Sequence, residues 1–347
     1  MSVRTNAPDP RTAAPREAKP QWSDVPIRLR VETGRLLGSP VARAVRAFGG
    51  YAPSATYRLL LEDGRRAFLK ATYPLPTGSG VRWSLIEEER TYRKLERYMR
   101  PWAPIYFGSL RSDGWHAVLL EDVQGESVPP WTGGRARRAA RSYAEFHQST
   151  HGRRLPAWLS RTQHREFGRF WSRLARTASG LDALASLAGP RRATATRWLT
   201  RALPDLVRAE RSLVQAREPF SLLHFDTRSD NVRLEGERLR IFDWPYVSVG
   251  PHEFDLAAFA QAISCEDGPR AEEVVNWYAE ILPVRERELA GSVAGIAGYF
   301  ADRAPRPLPE GLPRIRSVQR RQLKASLAWA ARILGLPEPR WLEDVPG

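Results

Sequence analysis

The stretch LLHFDTRSDNVRLEGERLRIFDW, residues 222–244, places polar side chains at the ends of apolar runs. His224, Asp226 and Asn231 follow the first run, and Asp243 interrupts the last one after a hairpin-like EGER turn. The chain contains 6 His, 14 Asp and 3 Asn, so the spacing His-x-Asp-x-x-x-x-Asn is expected by chance only about 0.002 times in a sequence of this length and composition. The pattern therefore indicates a chemical function rather than a polar loop between two strands.

These residue types suit phosphoryl transfer from ATP. That reaction needs a carboxylate to orient the attacking hydroxyl and accept its proton, and oxygen ligands to hold Mg²⁺ against the β- and γ-phosphates. A short loop can present Asp226 to the substrate and turn Asn231 back toward the metal. The hairpin then returns the chain to Asp243, a second metal ligand. We expect His224 to brace this loop through hydrogen bonds rather than to act as the base.

The elements that would position these residues fall into two groups. Between about residues 43 and 123, four runs have the composition of β-strands, and two of their connections, Asp63-Gly64 and Asp113-Gly114, are typical of hairpins. One helical stretch, SLIEEERTYRKLERYM, lies between them, and almost everything after Val123 has a helical pattern. We therefore predict an α+β fold in which a small antiparallel sheet with one helix precedes a larger, mostly helical lobe.

The opening segment resembles the catalytic and metal-binding loops of the aminoglycoside phosphotransferase and choline kinase superfamily, relatives of the protein kinases. HFDTRSDN and IFDW match its His-Gly-Asp-x-x-x-x-Asn and Ile-Asp-Trp motifs, except that Phe225 replaces glycine, a place where protein kinases also have a bulky residue. The resemblance implies a protein-kinase-like bilobal fold that uses ATP and Mg²⁺. It puts Arg228 at the place of the protein-kinase catalytic-loop lysine. By that similarity Arg228 would contact the γ-phosphate; the alternative is that it is an ordinary exposed arginine of the loop. It makes Asp255, in HEFDLAAFA, a structural residue.

The resemblance also implies a lysine on the third strand and a carboxylate partner on the following helix. Lys70 stands at that place in a chain with 50 Arg and only 4 Lys, and a compact ammonium fits beside the α/β-phosphates and a carboxylate. Glu88 shares a helix face with Tyr92 and Leu95 at i, i+4 and i+7. We therefore expect Glu88 to pair with Lys70, and the glutamates on either side of it to be solvated.

The remainder of the ATP site has fewer sequence features. Ser54 follows Gly49-Gly50 ahead of a strand, and related antibiotic kinases often use a serine-bearing loop whose backbone N–H groups meet the β-phosphate; an ordinary hairpin is the alternative. The run AVLLEDVQG resembles the hinge between the lobes, so adenine is expected to pair with backbone groups near Glu121 and Val123. By the same resemblance, His147 is a packed structural residue.

Composition bounds the class of protein. The Pro/Ala-rich start lacks the apolar core of a secretory signal, the longest weakly polar run is too short to cross a bilayer, and the single Cys265 excludes a disulfide framework or a Cys-based metal site. We expect a cytoplasmic protein without a membrane partner, of undetermined oligomeric state. We divide it into a disordered tail (1–25), an ATP-binding lobe (26–122) and a catalytic and acceptor-binding helical lobe (123–347).

The net charge of +15 is concentrated in one span. Residues 131–217 contain 18 Arg, no Lys and 5 acidic residues, a net charge of +13, whereas 251–347 contain 12 basic and 14 acidic residues. A solvated face of Arg-rich helices is the simpler interpretation, and an anion-attracting surface is the alternative. Because these helices would lie beside the acceptor cleft in the implied fold, we expect a neutral or anionic acceptor rather than a polycationic aminoglycoside. Acidic residues within 266–273 favour the opposite conclusion, because they could form an acidic pocket for a polycationic aminoglycoside.

Together these observations predict a Mg-ATP-dependent small-molecule kinase that phosphorylates a hydroxyl of a metabolite or antibiotic. Asp226 is the expected base, assisted by Arg228, with Asn231 and Asp243 on the metal. Three alternatives stay open at this point: an ATP-binding pseudokinase or regulator without phosphotransfer, a kinase of protein side chains, and a basic nucleic-acid-binding protein. The last lacks any recognised binding motif, so we expect no nucleic-acid partner.

Overall fold

A five-stranded antiparallel sheet occupies the N-terminal part of the computed structural model, which describes residues 19–48, 54–74, 84–310 and 312–347. Its spatial order is β1-β2-β3-β5-β4. The strands are Val41–Arg46 (β1), Ala55–Leu61 (β2), Arg66–Thr72 (β3), Tyr106–Ser112 (β4) and Trp115–Glu121 (β5). The predicted Asp-Gly turns join β2 to β3 and β4 to β5, where Gly64 and Gly114 adopt φ of +83° and +77°. Glycine accepts such angles without steric cost.

Two helices accompany this sheet. The predicted one is Ile86–Met99 (α2), which buries Glu88, Tyr92 and Leu95 on one face. The other, Ile27–Leu37 (α1), was not predicted, because its many charged residues obscure a short apolar stripe. It begins after Pro26, packs against β4, and ends where Gly38 turns the chain with φ +77°.

The segment before α1 is ordered as far back as Lys19. The Lys19 ammonium donates to the Thr56 hydroxyl (3.0 Å), and a 3₁₀ turn at Trp22–Asp24 sets the Trp22 ring 5.1 Å from that of Tyr57. Burial of these side chains on the sheet offsets the entropy of ordering the chain. The expectation of disorder is therefore wrong for residues 19–25, and residues 1–18 lie outside the described residues.

The larger C-terminal part is mostly helical. Its helices are Gly133–Thr150 (α3), Gln163–Phe167 (α4), Phe170–Ala175 (α5), Ala178–Ser186 (α6), Arg192–Gln215 (α7), His252–Cys265 (α8), Ala271–Ala279 (α9), Glu286–Arg303 (α10) and Ile315–Ile333 (α11). One hydrophobic core unites these helices with α2 and one face of β5, and a smaller core lies between the sheet and α1. The apolar face of α2 thus belongs to the larger core.

The segment 222–244 interrupts the helices with short strands. Ser221–Leu223 (β6) pairs with Ser248–Gly250 (β9), and Val232–Glu235 (β7) pairs with Arg238–Ile241 (β8) through the predicted hairpin. A 3₁₀ turn at Ser229–Asn231 lies between β6 and β7. This arrangement puts the polar residues of the segment in the loops between buried strands. Within the described residues, no helix has both the length and the apolar character needed to cross a membrane.

Candidate active site

His224 connects the loop that carries Asp226 to the loop that carries Asp243. It is fully buried, its Nδ1 accepts the Asp226 backbone N–H (3.2 Å), and its Nε2 donates to the carbonyl of Phe242 (3.1 Å). One ring nitrogen accepts and the other donates, so the imidazole is neutral. Burial lowers the pKa of His224 below its ordinary value, which agrees with that state. A bracing role therefore fits these contacts better than a role as base.

Asp255, at the start of α8, holds the backbone of the same loop from the other side. Its carboxylate accepts the N–H groups of His224 (2.6 Å) and Phe225 (3.0 Å) and the hydroxyl of Tyr143 (2.7 Å), and His147 Nε2 lies 3.4 Å away. Burial raises the pKa of Asp255, but the hydrogen bonds and charge of its neighbours, led by His147, bring it below the ordinary value. The carboxylate is thus an ionised anchor for the loop.

Two residues of these loops have backbone angles that non-glycine residues rarely adopt. Phe225 has φ +75° and Asp243 has φ +70°. Phe225 is the residue that replaces the family's glycine, and its ring stacks on that of Phe254 with centroids 4.4 Å apart. Such angles persist where surrounding contacts over-determine them, and they concentrate at functional sites. The loops that present Asp226 and Asp243 therefore each contain a residue with a strained backbone.

Lys70 lies between two carboxylates. Its ammonium is 2.7 Å from Glu88 Oε2 and 2.6 Å from Asp243 Oδ1, with the Lys70 side chain 8% exposed and that of Glu88 1% exposed. Burial raises the pKa of Glu88 although Lys70 opposes the shift, whereas Lys70 outweighs burial at Asp243 and lowers its pKa. The two carboxylates also more than offset burial at Lys70 and raise the pKa of that ammonium, which stays charged.

The glutamate next to Glu88 differs from the expectation. Glu89 is only 9% exposed, and its carboxylate accepts from Ser109 (2.7 Å), Arg111 (2.9 Å) and His116 (2.9 Å). The expectation that Glu89 is solvated is therefore wrong. The reason is tertiary: β4 and β5 present polar side chains along the flank of α2, which a helical wheel of the isolated segment does not reveal.

Asn231 and Asp243 offer oxygen atoms suited to Mg²⁺. The Asn231 amide nitrogen donates to the main-chain oxygen of Asp226 (2.8 Å), and this contact leaves the amide oxygen for a metal. Asp243 contributes a carboxylate whose lowered pKa keeps it ionised. Mg²⁺ takes oxygen ligands and is commonly held by one or two protein groups together with substrate phosphates and water. The residues present therefore fit the metal that the sequence implied.

Arg228 contacts the expected base. Its Nε lies 3.4 Å from Asp226 Oδ1 and its Nη1 lies 3.8 Å from Asp230 Oδ2, with its side chain 24% exposed. Burial raises the pKa of Asp226 and Arg228 opposes that shift, so the carboxyl has a pKa above its ordinary value. A carboxyl with a raised pKa is the better proton acceptor for a hydroxyl. The position of Arg228 also allows contact with a phosphate beside Asp226.

The hinge-like segment after β5 offers main-chain groups. Glu121 Oε2 accepts from Arg240 (2.6 Å) and from the backbone N–H of Ile105 (3.1 Å), and the Glu121 N–H donates to the Ile105 carbonyl (2.9 Å), so these contacts hold the segment in place. The N–H of Val123 has no hydrogen-bond partner among the described residues. Ser54 is buried and is the first residue of the described segment 54–74, just before β2. Gly49-Gly50 lie outside the described residues.

All nine residues predicted for the site line one cavity of about 860 Å³ between the sheet and the helical part. They are Ser54, Lys70, Glu88, Glu121, Val123, Asp226, Arg228, Asn231 and Asp243. The sequence matches the model of the phosphotransferase enzyme family over residues 44–289, a span that contains all nine. The chain belongs to the phosphotransferase enzyme family. The expected aminoglycoside phosphotransferase and choline kinase superfamily is thereby confirmed.

Solved structures in this superfamily have the same fold. Amicoumacin kinase hAmiN, in complex with AMP-PNP, Ca²⁺ and Ami, aligns with a TM-score of 0.54 at 12% identity over 92% of this chain and 94% of its own. Spectinomycin phosphotransferase APH(9)-Ia, in complex with ADP and spectinomycin, gives 0.51 at 14% over 93% and 98%. Aminoglycoside phosphotransferase APH(4)-Ia gives 0.53 at 14% over 92% and 100%. These identities show the fold alone, which is the predicted protein-kinase-like bilobal fold. No curated protein sequence matches the chain.

The charged groups considered for acceptor selection lie elsewhere in this phosphotransferase. Within the described chain, no arginine of 131–217 lines the cavity, and none of the acids of 266–273 does. Glu266 instead accepts from Trp131, and Glu272 pairs with Arg332 at 2.7 Å. We had expected a neutral or anionic acceptor because the Arg-rich helices would lie beside the cleft. That argument is wrong, because those arginines lie outside the cleft.

Sequence reasoning missed a second set of cavity residues, which come from α4, α8, α10 and α11. They include Phe167, Phe254, Gln261, Tyr299 and Gln322. Apolar residues on these helices follow the same spacing whether they face the core or a cavity, so the pattern alone does not separate the two. The buried glutamines offered the one usable indication, since uncharged polar residues within apolar helix faces need a partner.

Proposed function

We propose that this family member is a Mg-ATP-dependent kinase that transfers the γ-phosphate of ATP to a hydroxyl of a small molecule. The observation that carries the proposal is the double contact of Lys70 with Glu88 (2.7 Å) and Asp243 (2.6 Å) in the cavity that Asp226 also lines. A lysine held between two carboxylates is positioned for phosphate oxygens, and a carboxylate beside it serves the attacking hydroxyl. The fold neighbours solved with AMP-PNP or ADP support a nucleotide as the donor.

Each residue has a separate task in this proposal. Asp226 orients the acceptor hydroxyl and takes its proton as the new O–P bond forms and the bond between the γ-phosphorus and the β,γ-bridging oxygen breaks, with ADP as the leaving group. Lys70 binds α/β-phosphate oxygens while Glu88 keeps it in place. Asn231 and Asp243 would hold Mg²⁺, which supplies charge neutralisation at the β- and γ-phosphates when bound. Arg228 stabilises negative charge next to the transferred group.

Binding of the nucleotide base falls to the hinge in this proposal. The main chain of Glu121 and Val123 would pair with adenine, and the fixed carboxylate of Glu121 keeps that segment in position through Arg240. Ser54 would stand over the β-phosphate at the start of β2. Main-chain recognition discriminates weakly between side chains, so substitutions at Val123 should matter less than those at Lys70.

The test is transfer of labelled γ-phosphate from Mg-ATP to pooled hydroxyl compounds by the full chain. Asp226→Asn keeps the shape of the side chain and removes the base, so we expect transfer to fall by at least about 10²–10³-fold while Mg-ATP binding persists. Asp205→Asn, on the exposed surface of α7, is the matched control and should retain full transfer. Equal transfer by wild type and Asp226→Asn would reject the assigned base, and absence of Mg-ATP binding would reject the proposal.

A further inference from the structure

The helices of the C-terminal part give the cavity an almost uncharged set of lining residues. We define the acceptor end as the lining residues from α4, α8, α10, α11 and the turn before α11. They are Gln163, Glu166, Phe167, Phe254, Ala258, Gln261, Ala262, Ile296, Tyr299, Phe300, Leu312, Ile315, Val318, Gln319 and Gln322. Of these described residues only Glu166 carries a charge, and its 60%-exposed side chain already pairs with Arg169 at 3.3 Å.

An aromatic wall leads from the acceptor end to the expected base. Phe225, adjacent in sequence to Asp226, stacks on Phe254 at 4.4 Å; Phe254 meets Phe167 at 4.7 Å, and Phe167 meets Tyr299 at 5.3 Å. A molecule that occupies the acceptor end with its hydroxyl at Asp226 therefore lies against these rings. Contact with such a wall removes apolar surface from water and favours an apolar body in the acceptor.

Two glutamines provide an independent indication of polar groups on that molecule. Gln261 and Gln322 are 5% and 8% exposed, and within the described residues neither amide oxygen has a hydrogen-bond partner. A buried amide oxygen without a partner is costly, and such groups in native proteins usually have a ligand or water to satisfy them. The terminal torsion of glutamine rotates over a broad range, so each amide can turn toward a ligand in the cavity it lines.

We propose that the acceptor is an uncharged, predominantly apolar alcohol that carries at least one further hydrogen-bonding group. A polycation or a phosphorylated metabolite would lose its hydration at the acceptor end without gaining a counter-charge there. The carboxylates beside this end already have counter-charges: Asp243 pairs with Lys70 at 2.6 Å, and Arg228 lies 3.4 Å from Asp226 and 3.8 Å from Asp230. That this alcohol accepts phosphate rests on the proposed function, whereas the preference of the acceptor end for uncharged ligands does not.

Ligand preference can be measured without nucleotide on the full chain. The probe is N-phenyl-1-naphthylamine, a neutral apolar fluorophore, and the competitors are alkyl β-glucosides from methyl to hexyl, neomycin as a polycation and glucose 6-phosphate as an anion. We expect saturable probe binding and displacement by the glucosides, with affinity rising up to about fourfold per added methylene. Displacement by neomycin or glucose 6-phosphate in preference to hexyl glucoside, or absence of saturable probe binding, overturns the proposal.

Two variants, with one control, test whether these ligands bind at the acceptor end. Ile296→Glu puts a carboxylate into the acceptor end and should weaken probe binding at least about tenfold, whereas Ile86→Glu, at a 57%-exposed position on α2, should leave it unchanged. Because Ile296 is buried, Gln322→Leu gives a milder second test. It should weaken hexyl glucoside by about tenfold and leave the probe unaffected, a difference that general unfolding does not produce. Equal effects of Gln322→Leu on both ligands would contradict the role of this glutamine.

Phosphate transfer to hexyl glucoside separates this inference from the proposed function. Selective binding of neutral ligands without any ATP turnover would support the ligand preference and reject the kinase. Turnover with a cationic or anionic acceptor, but with no neutral one, would support the kinase and reject the ligand preference.

Discussion

Asp243 Oδ1 lies 2.6 Å from the Lys70 ammonium, although 173 residues separate the two in sequence. The contact ties β3 to the loop after β8, and Glu88 Oε2 at 2.7 Å completes the ion cluster. The Tyr92 hydroxyl, one helical turn after Glu88, lies 3.3 Å from the Asp243 backbone nitrogen and accepts its N–H. The sheet, α2 and the loop that carries Asp243 therefore meet at one lysine.

Replacement of that lysine by arginine should be severe. A planar guanidinium does not fit between two carboxylates 2.6 and 2.7 Å from a single nitrogen, so we expect Lys70→Arg to lower kcat/KM for Mg-ATP by at least about 100-fold. Lys94→Arg, at an exposed position of α2, is the matched control and should leave kcat/KM unchanged. Similar values for the two variants would contradict the role of Lys70.

The Asp255 anchor should contribute to both stability and rate. Asp255→Asn replaces one acceptor oxygen with a donor facing the N–H groups of His224 and Phe225, so we expect the free energy of unfolding to fall by about 3 kcal/mol and phosphate transfer to fall with it. Tyr143→Phe removes one donor to the same carboxylate and should cost only about 1 kcal/mol. Urea unfolding and initial rates measure both effects, and a larger loss for Tyr143→Phe would argue against the anchor.

The strained backbone at Phe225 can be tested with two substitutions that both delete the ring. Glycine accepts φ +75°, whereas β-branched valine does not, so Phe225→Val should be less stable than Phe225→Gly by about 1–3 kcal/mol. We also expect Phe225→Gly to retain the higher kcat, because the backbone that carries Asp226 stays in place. Thermal unfolding and transfer rates make the comparison. Equal stability of the two variants would show that the loop relaxes when the ring is lost.

His164 should make stability depend on pH. The ring is fully buried, neither nitrogen has a hydrogen-bond partner among the described residues, and burial, with a smaller effect of Arg165, lowers the pKa of His164 from 6.5 to about 4. The unfolded chain therefore takes up a proton below pH 6.5 that the folded chain does not, and stability is lost as the pH falls from 6.5 toward 4.

Removal of this histidine should reduce the acid sensitivity. Relative to wild type, His164→Leu should gain up to about 3 kcal/mol in unfolding free energy between pH 6.5 and pH 4. Urea unfolding at several pH values provides the measurement. Parallel curves for the two proteins would mean that the folded chain protonates His164 as readily as the unfolded chain does.

Much of this protein could be predicted from local sequence. Asp226, Asn231 and Asp243 lie within one short segment, and their spacing matches the motifs of a known family. Lys70 stands out because almost all basic residues of the chain are arginines. Four of the five strands of the sheet, β2 to β5, followed from composition and from the Asp-Gly turns at residues 63–64 and 113–114, because a turn that needs positive φ restricts the residues it accepts. The edge strand Val41–Arg46 (β1) was not among the predicted runs. These features depend on neighbours in sequence, so no distant contact was needed to detect them.

Other features were decided only by tertiary contacts. Glu89 is buried because β4 and β5 pack beside α2, and Lys19–Val25 is ordered because the sheet offers an apolar surface for Trp22. The aromatic wall and the glutamines of the acceptor end come from four separate helices. An apolar helix face has the same sequence pattern whether another helix or a ligand covers it. Short-range residue spacing therefore indicated phosphoryl transfer, whereas the side chains that line the acceptor end depend on which distant helices surround the same cavity.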